Sequence, residues 1–360
     1  MKTSSLKKPF LITVIGLAAL LLALYAAIPH IAKYYLNHYV LADMGDYTGR
    51  VDSIRLDLPR GSYQLQELNI HLKESDPSNP FFYTESLNIH LSWFALRNRE
   101  ILVDVALLKP QLHLVDSPTG QAEQKGEGTN WLAVFDQILP TTLNRLDIID
   151  GKIRFTNSEA DPAVDFQLNA INAHLENLTN VRDQNGRRVA SATLAAIAFT
   201  NTPLTANATF DPFQHDDFQV AVQSGRIPLR EINDFAKAYA GLDFKSGDLQ
   251  LFSEFEADSG KMTGYVKPLL EDVNIASWEQ DVVQQNDNPI QLTWETLMGF
   301  LGTTLTNLET DKLATEISID GTIDQTKIGT WPAVWGIIEN AFIEAIQARF
   351  NQLTPLTQES

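Results

Sequence analysis

The chain has 360 residues with 27 basic and 45 acidic side chains, a formal net charge of −18 and no cysteine. That balance makes nucleic acid and anionic headgroups poor partners for the general surface, and the missing thiols exclude any disulfide, so the fold must rest on buried apolar area. A chain without cysteine also suits an oxidising compartment, where an unpaired thiol is at risk.

Phe10 to Ile28 reads FLITVIGLAALLLALYAAI, 19 residues without a charge. At 1.5 Å per residue this run can cross a bilayer core of about 30 Å, with Phe10, Leu20, Leu21, Leu22 and Ile28 among the lipid-facing anchors. Lys2, Lys7 and Lys8 precede it and no acidic residue occurs before Asp43, which predicts a cytoplasmic segment 1–9, a span 10–28 and the bulk outside. A cleavable signal peptide is the competing reading. Its apolar region is normally shorter and ends in a small-x-small site, whereas Leu24 and Tyr25 stand where small residues are wanted. Beyond residue 9 the chain carries 24 basic against 45 acidic side chains, a net of −21. About 330 residues follow the span, enough for one long or two ordinary domains. The juxtamembrane segment 29–48 holds His30, Lys33, Tyr34, Tyr35, His38 and Tyr39, as expected of a helix leaving through the headgroup layer.

From Gly49 the signal changes to period two, which marks strands with one dry and one wet face. In a first β region, 49–116, it runs through Ile54/Leu56/Leu58, Leu68/Ile70/Leu72, Leu87/Ile89/Leu91/Trp93, Ile101/Val103/Val105/Leu107 and Leu112/Leu114. The short turns between them predict antiparallel hairpins. Leu68-Asn-Ile-His-Leu72 recurs verbatim as Leu87-Asn-Ile-His-Leu91, a 19-residue period that suggests repeated addition of similar strands. Residues 117–145 read as a Gly/Gln/Glu-rich loop and a short helix over 130–139 ended by Pro140.

A second β region, 146–328, resumes the alternation at Leu146/Ile148, Ile153/Phe155, Val164/Phe166/Leu168, Ile171/Ala173/Leu175, 190–196, Leu204/Ala206/Ala208/Phe210 and Phe218/Val220/Val222. A helix follows Pro228, with Ile232, Phe235, Ala236 and Tyr239 on one face and Gly241 suited to its cap. Strands at Leu249/Leu251, Phe255, Met262/Val266 and Val273/Ile275 come next. A helix capped by Asn288, Pro289 and Gln291 then runs through Leu308, and a last strand covers Leu313 to Ile319. Segment 329–353 is an amphipathic helix with Trp331, Trp335, Ile338, Phe342, Ile346 and Phe350 on its stripe, and 354–360 is a tail. That stripe suits a groove-capping or partner-docking face; the interfacial reading is opposed by Glu339 and Glu344.

About sixteen amphipathic strands need a facing sheet, covering helices or a ligand for their dry faces, and four short helices cannot cover them all. A closed sandwich or barrel is one solution. The other is a long curled sheet with an open apolar side, which in a membrane-tethered protein implies acyl chains. Sixteen strands in one row would run roughly 75 Å. The lining expected for such a groove is Leu68, Ile70, Leu87, Ile89, Val103 and Val105 in the first region. In the second it is Phe155, Phe166, Leu168, Val220, Val222, Leu249, Leu251 and Phe255.

Chemistry has little to stand on in this sequence. His71, His90 and His113 fall on the polar phase of neighbouring strands, where a metal site is geometrically open but solvated side chains are the ordinary outcome. Gly126-Glu-Gly128 lacks the third glycine of a nucleotide loop, and no nucleophile-elbow or zinc-protease pattern occurs. Asp147 and Asp150 flank a turn, where Asp serves the backbone, so acid–base catalysis is the weaker reading. No enzyme, metal or cofactor is expected.

Leu143-Asn-Arg-Leu-Asp-Ile-Ile-Asp-Gly151-Lys-Ile-Arg-Phe155, followed by Pro162, Leu168, Ile171, Leu175 and Leu178, resembles the strand-Gly-strand signature of AsmA-like bacterial proteins. So does Ile227-Pro-Leu-Arg-Glu-Ile-Asn-Asp-Phe235 with Leu242-Asp-Phe-Lys-Ser-Gly247-Asp-Leu-Gln-Leu251 after it. Gly264-Tyr-Val-Lys-Pro268 to Ile275 and Asn340-Ala-Phe-Ile343 look like a branch of the same family known mainly as a domain of unknown function. The resemblance covers most of residues 1–350 and implies an inner-membrane anchor, a periplasmic β-groove related to chorein-like lipid-transfer proteins, and a role in phospholipid traffic or outer-membrane homeostasis. It supplies no catalytic residue, and the short chain departs from the larger members. The fold expected is therefore mainly β with a few helices. An N-terminal transmembrane helix precedes an elongated, curled, largely antiparallel β-groove with amphipathic capping helices. The partners expected are the inner membrane, a phospholipid or other acyl-chain ligand, and an envelope protein. The alternative is a non-transporting periplasmic scaffold whose sheet closes into ordinary domains.

Overall fold

The computed structural model describes residues 7–93, 97, 102–117, 123–124, 143–178, 190–211, 217–240, 242–278, 312–314 and 316–322. The helices expected at 130–139, 288–308 and 331–353 lie outside them, as do Trp331, Trp335, Ile338, Phe342, Ile346 and Phe350. The protein is mainly β, with one N-terminal apolar helix and extensive antiparallel pairing. It divides into two compact units, Met1–Leu112 with Gly126–Leu143, and His113–Lys125 with Asn144–Ser360.

The first unit begins with α1 (Lys7–Tyr35), which runs on through a π turn, Leu36–Val40. The 30 residues Leu11–Val40 are long and apolar enough to cross a membrane. Leu20, Leu21, Leu22 and Ile28 are 57, 58, 69 and 42% exposed, so the anchor positions are left bare, and Phe10 lies in the same helix. An apolar surface on every side of a helix is a lipid-facing composition.

Strands β1 (Tyr47–Arg50), β2 (Ser53–Asp57), β3 (Ser62–Leu72), β4 (Phe82–Leu91) and β5 (Val103–Leu108) follow, with the start of β6 (Gln111–Val115). Both β1 and β2 pair with β3, β3 pairs with β4, and β4 with β5 and with Gln111 and Leu112 of β6, all antiparallel. Cross-strand partners Ile54–Leu65–Leu87–Leu107 and Tyr63–Ile89–Val105 form the apolar face. Next to them runs a polar ladder: Ser53 Oγ donates to Gln66 Oε1 (2.9 Å), Gln64 Nε2 to Ser86 Oγ (2.6 Å), and Ser86 Oγ to Asn88 Oδ1 (3.1 Å). The repeated pentapeptides occupy neighbouring strands but do not face each other, because Leu68 pairs with Thr84 and Ile89 with Tyr63. Trp93, expected in strand phase, lies in a helical turn beyond the end of β4.

The second unit holds β7 (Leu143–Asn157), β8 (Val164–Glu176), β9 (Ala190–Ala198), β10 (Thr202–Phe210), β11 (Phe218–Ser224) and β12 (Ile227–Pro228). A 3-10 turn, Leu229–Ile232, leads into α2 (Asn233–Ala240), then β13 (Leu242–Asp258), β14 (Lys261–Trp278), β15 (Lys312–Ala314) and β16 (Ile317–Thr322). The order is β7-β8-β9-β10-β11-β13-β14-β15, with β12 on β13 and β16 on β14.

Four of these strands correct the sequence reading, which splits β7, β8 and β14 in two and begins β13 only at Leu249. The cause is a set of register shifts inside each of two hairpins. In β7 and β8 the residues in positive φ at the shifts are Asp150 (φ 55°) and Ala170 (φ 48°); β13 and β14 shift three times between Asp243 and Asp248, with Gly247 (φ 125°) and Asp272 (φ 51°) at the last. Ile148 pairs with Ala173 before the break and Ile153 with Leu168 after it, so the two insertions compensate and register is kept. Each strand nevertheless changes the parity of its inward residues, which ends the period-two signal midway. The freed backbone groups find partners: Asp150 N–H donates to Asn172 Oδ1 (3.2 Å), and Asn172 Nδ2 to the Ala170 carbonyl (2.9 Å). At Gly247 a Cβ would stand 2.8 Å from Val273 Cα and 2.9 Å from Leu229 Cδ1, which leaves no room for another residue.

Candidate functional site

Directly paired residues of an antiparallel sheet share a face, so register alone defines the inner surface of the second unit. One row runs Ala173–Leu194–Ala206–Val222–Ser253–Val266–Ile317. The next runs Leu175–Ala192–Ala208–Val220–Phe255–Gly264–Ile319. Between them on the opposite face lie Thr193–Asn207–Ala221–Glu254–Tyr265. The two inner rows are apolar but for Ser253, whereas the row between them carries Thr193, Asn207, Glu254 and Tyr265 beside Ala221. The ring of Phe255 lies against the Gly264 backbone, in space that a Cβ there would fill at 2.8 Å.

The inner face is only half covered. In β10, Leu204, Ala206, Ala208 and Phe210 remain half-buried, while Pro203, Thr205, Asn207 and Thr209 on the other side are exposed. Leu194, Val220, Val222 and Phe255 are likewise half-buried. The apolar surface is thus continuous over several strands and left partly open.

One end of this face is closed by α2. Leu229, Ile232 and Ala236 are 0–5% exposed, and the Phe235 ring lies 6.3 Å from that of Phe155 on β7. The helix packs against both β8 and β13. Those strands are four steps apart in the sheet, about 19 Å if it were flat, whereas an eight-residue helix is about 12 Å long. α2 therefore bridges two strands that are four steps apart in the sheet of this unit. Polar bonds fix the plug: Asn233 Oδ1 accepts from Phe244 N–H (2.7 Å), Asn233 Nδ2 donates to Asp243 Oδ1 (2.7 Å), and Glu231 accepts from Thr200 N–H (3.0 Å). Asn233, and after it Lys237, hold the Asp243 carboxyl below its ordinary range.

The expected lining residues fall into two groups. Phe155, Phe166, Leu168, Val220, Val222, Leu251 and Phe255 are half-buried in the second unit, with Leu249 buried beside α2's end of the sheet. In the first unit Leu68, Ile70, Leu87, Ile89, Val103 and Val105 are 0–5% exposed, so they form a closed core and offer no surface to a ligand. Leu194, Leu204, Ala206, Ala208 and Phe210 were legible as alternating residues but not as lining, because register was needed to put them in the same rows.

The remaining polar residues serve local structure. His71 Nδ1 lies 3.2 Å from Asn69 Oδ1 and His113 Nε2 lies 3.0 Å from Thr156 Oγ1, and burial pushes both imidazoles down. Asp147 faces His174 across β7 and β8 at 2.5 Å, and Asp150 sits in the bulge. Among the described residues no group of three or more His, Asp or Glu is placed to hold a metal ion. No protein-family model matches the chain, and no curated protein matches it.

Proposed function

We propose that this is a single-pass, inner-membrane-anchored protein whose bulk lies in the periplasm and which binds acyl chains of phospholipid on the inner face of its second unit, in the service of lipid traffic or outer-membrane homeostasis. The observation that carries the reading is the partly open apolar face of β8 to β13, in a chain that also has a bare apolar helix. The AsmA-like resemblance of 143–155 and 227–251 supports it, since each segment enters a long hairpin whose pairing shifts register beside a glycine, Gly151 or Gly247. A photo-crosslinking residue at Val222, on the inner face, and at Gln223, on the outer, tests it in living bacterial cells. Lipid adducts at 222 and not at 223 are expected. Protein adducts at 223 with none of lipid at 222 would favour a second reading, a non-transporting scaffold, which the closed core of the first unit supports.

A further inference from the structure

The first unit is tied to α1 at two heights. Asn37 forms a double bond pair with the backbone of Val51, its Nδ2 donating to the carbonyl (2.9 Å) and its Oδ1 accepting from the N–H (2.8 Å). Twelve helix residues earlier, Tyr25 Oη donates to the Leu56 carbonyl (3.0 Å). The helical separation is about 18 Å and the five strand residues from Val51 to Leu56 span about 17 Å. Matching spans mean that β2 runs along α1, antiparallel to it, back toward the apolar run.

Tyr25 stands three residues before Ile28, about 4.5 Å inside the end of that run. The turn Leu58–Arg60 closes the β2–β3 tip beside this end of the run. Trp93 packs at the same tip: its indole Nε1 lies 2.8 Å from where a Gly61 Cβ would be, and Leu91 N–H donates to the Gly61 carbonyl (2.8 Å). Trp93 is nevertheless 47% exposed, among the few large apolar side chains of the described residues outside α1 that are so exposed. Arg60 and Arg97 are exposed too, Arg60 with Asp57 at 3.3 Å.

We infer that the β2–β3 tip and Trp93 form a second membrane contact, seated in the headgroup layer of the leaflet on the C-terminal side of the span. An indole and an arginine suit the boundary of headgroups and acyl chains, where the ring is half in each medium and guanidinium reaches phosphate. The contact holds the first unit upright on the bilayer rather than swinging from a tether. It rests on α1 being the membrane anchor.

The chain's lack of cysteine makes the test direct. Full-length Arg60→Cys, Trp93→Cys, Leu22→Cys and Ser78→Cys proteins, each carrying a nitroxide, are reconstituted in phosphatidylethanolamine–phosphatidylglycerol vesicles. Accessibility to oxygen and to a water-soluble nickel chelate is then compared. The expected result is a shift toward oxygen at 60 and 93, intermediate between Leu22 in the acyl region and Ser78 in water at the opposite hairpin. Nickel accessibility at 60 and 93 equal to that at 78, with 22 deep, would overturn the contact while leaving the anchor. A water-exposed label at 22 would overturn both. Arg60 has an 82% exposed side chain, so its replacement keeps the test clear of misfolding.

Discussion

Asn37 spends its whole side-chain amide on one residue, Val51, which is itself 0% exposed. Asn37→Ala leaves a buried N–H and carbonyl without that partner, and should cost about 2 kcal/mol, read as a lower denaturation midpoint of the first unit. His174 illustrates the opposite regime, since Asp147 first and Glu176 after it raise its pKa although the ring is largely in solvent. Its contribution is fully present below the unfolded value near 6.5 and fades as pH rises through the raised folded value. His174→Asn should therefore match the parent in alkaline buffer and fall behind it by less than about 1 kcal/mol below pH 6, checked by urea melts across that window. Neither bond could be read from sequence. Asn37 and Val51 are ordinary residues 14 apart, and His174 meets Asp147 only through the register of β7 and β8.

At the scale of elements, the register shifts explain what the hydrophobic pattern could and could not give. Period two located every long strand, and Pro228 and Gly241 bracketed α2 correctly. It then divided Leu143–Asn157 in two and began Leu242–Asp258 only at Leu249, because a register shift flips the parity while the chain carries on in the same direction. Asp150-Gly151 was the local signal of the first break, and it reads equally well as a turn. Two substitutions separate the bulge from a turn. Gly247→Ala must accept both strained φ and a Cβ against Val273 and Leu229, and should destabilise the second unit by about 2 kcal/mol or more. Ala170→Gly, exposed and at φ 48°, should stabilise it by about 0.5 kcal/mol, the relief of left-handed strain less the added chain entropy. Calorimetric melts of both variants check the signs.

The whole molecule has a closed first unit and a second unit whose apolar face is still partly open. Sequence alternation alone treated both alike, since a dry face looks the same whether other side chains or a ligand cover it. Exposure told them apart: Ile89 and Val103 are 0% exposed, whereas the inner residues of β10 are half-buried. Ala206→Trp, which fills the inner face without touching the outer one, should lower lipid occupancy while leaving the fold's circular dichroism unchanged. The most direct measurement uses a polarity-sensitive fluorophore on Ala206→Cys and on Asn207→Cys of the full-length protein, with phospholipids whose acyl chains carry a nitroxide quencher. Strong quenching at 206 and little at 207 is the result predicted for acyl chains lying on the inner face. Equal or absent quenching at the two positions, in protein that is folded, would contradict it.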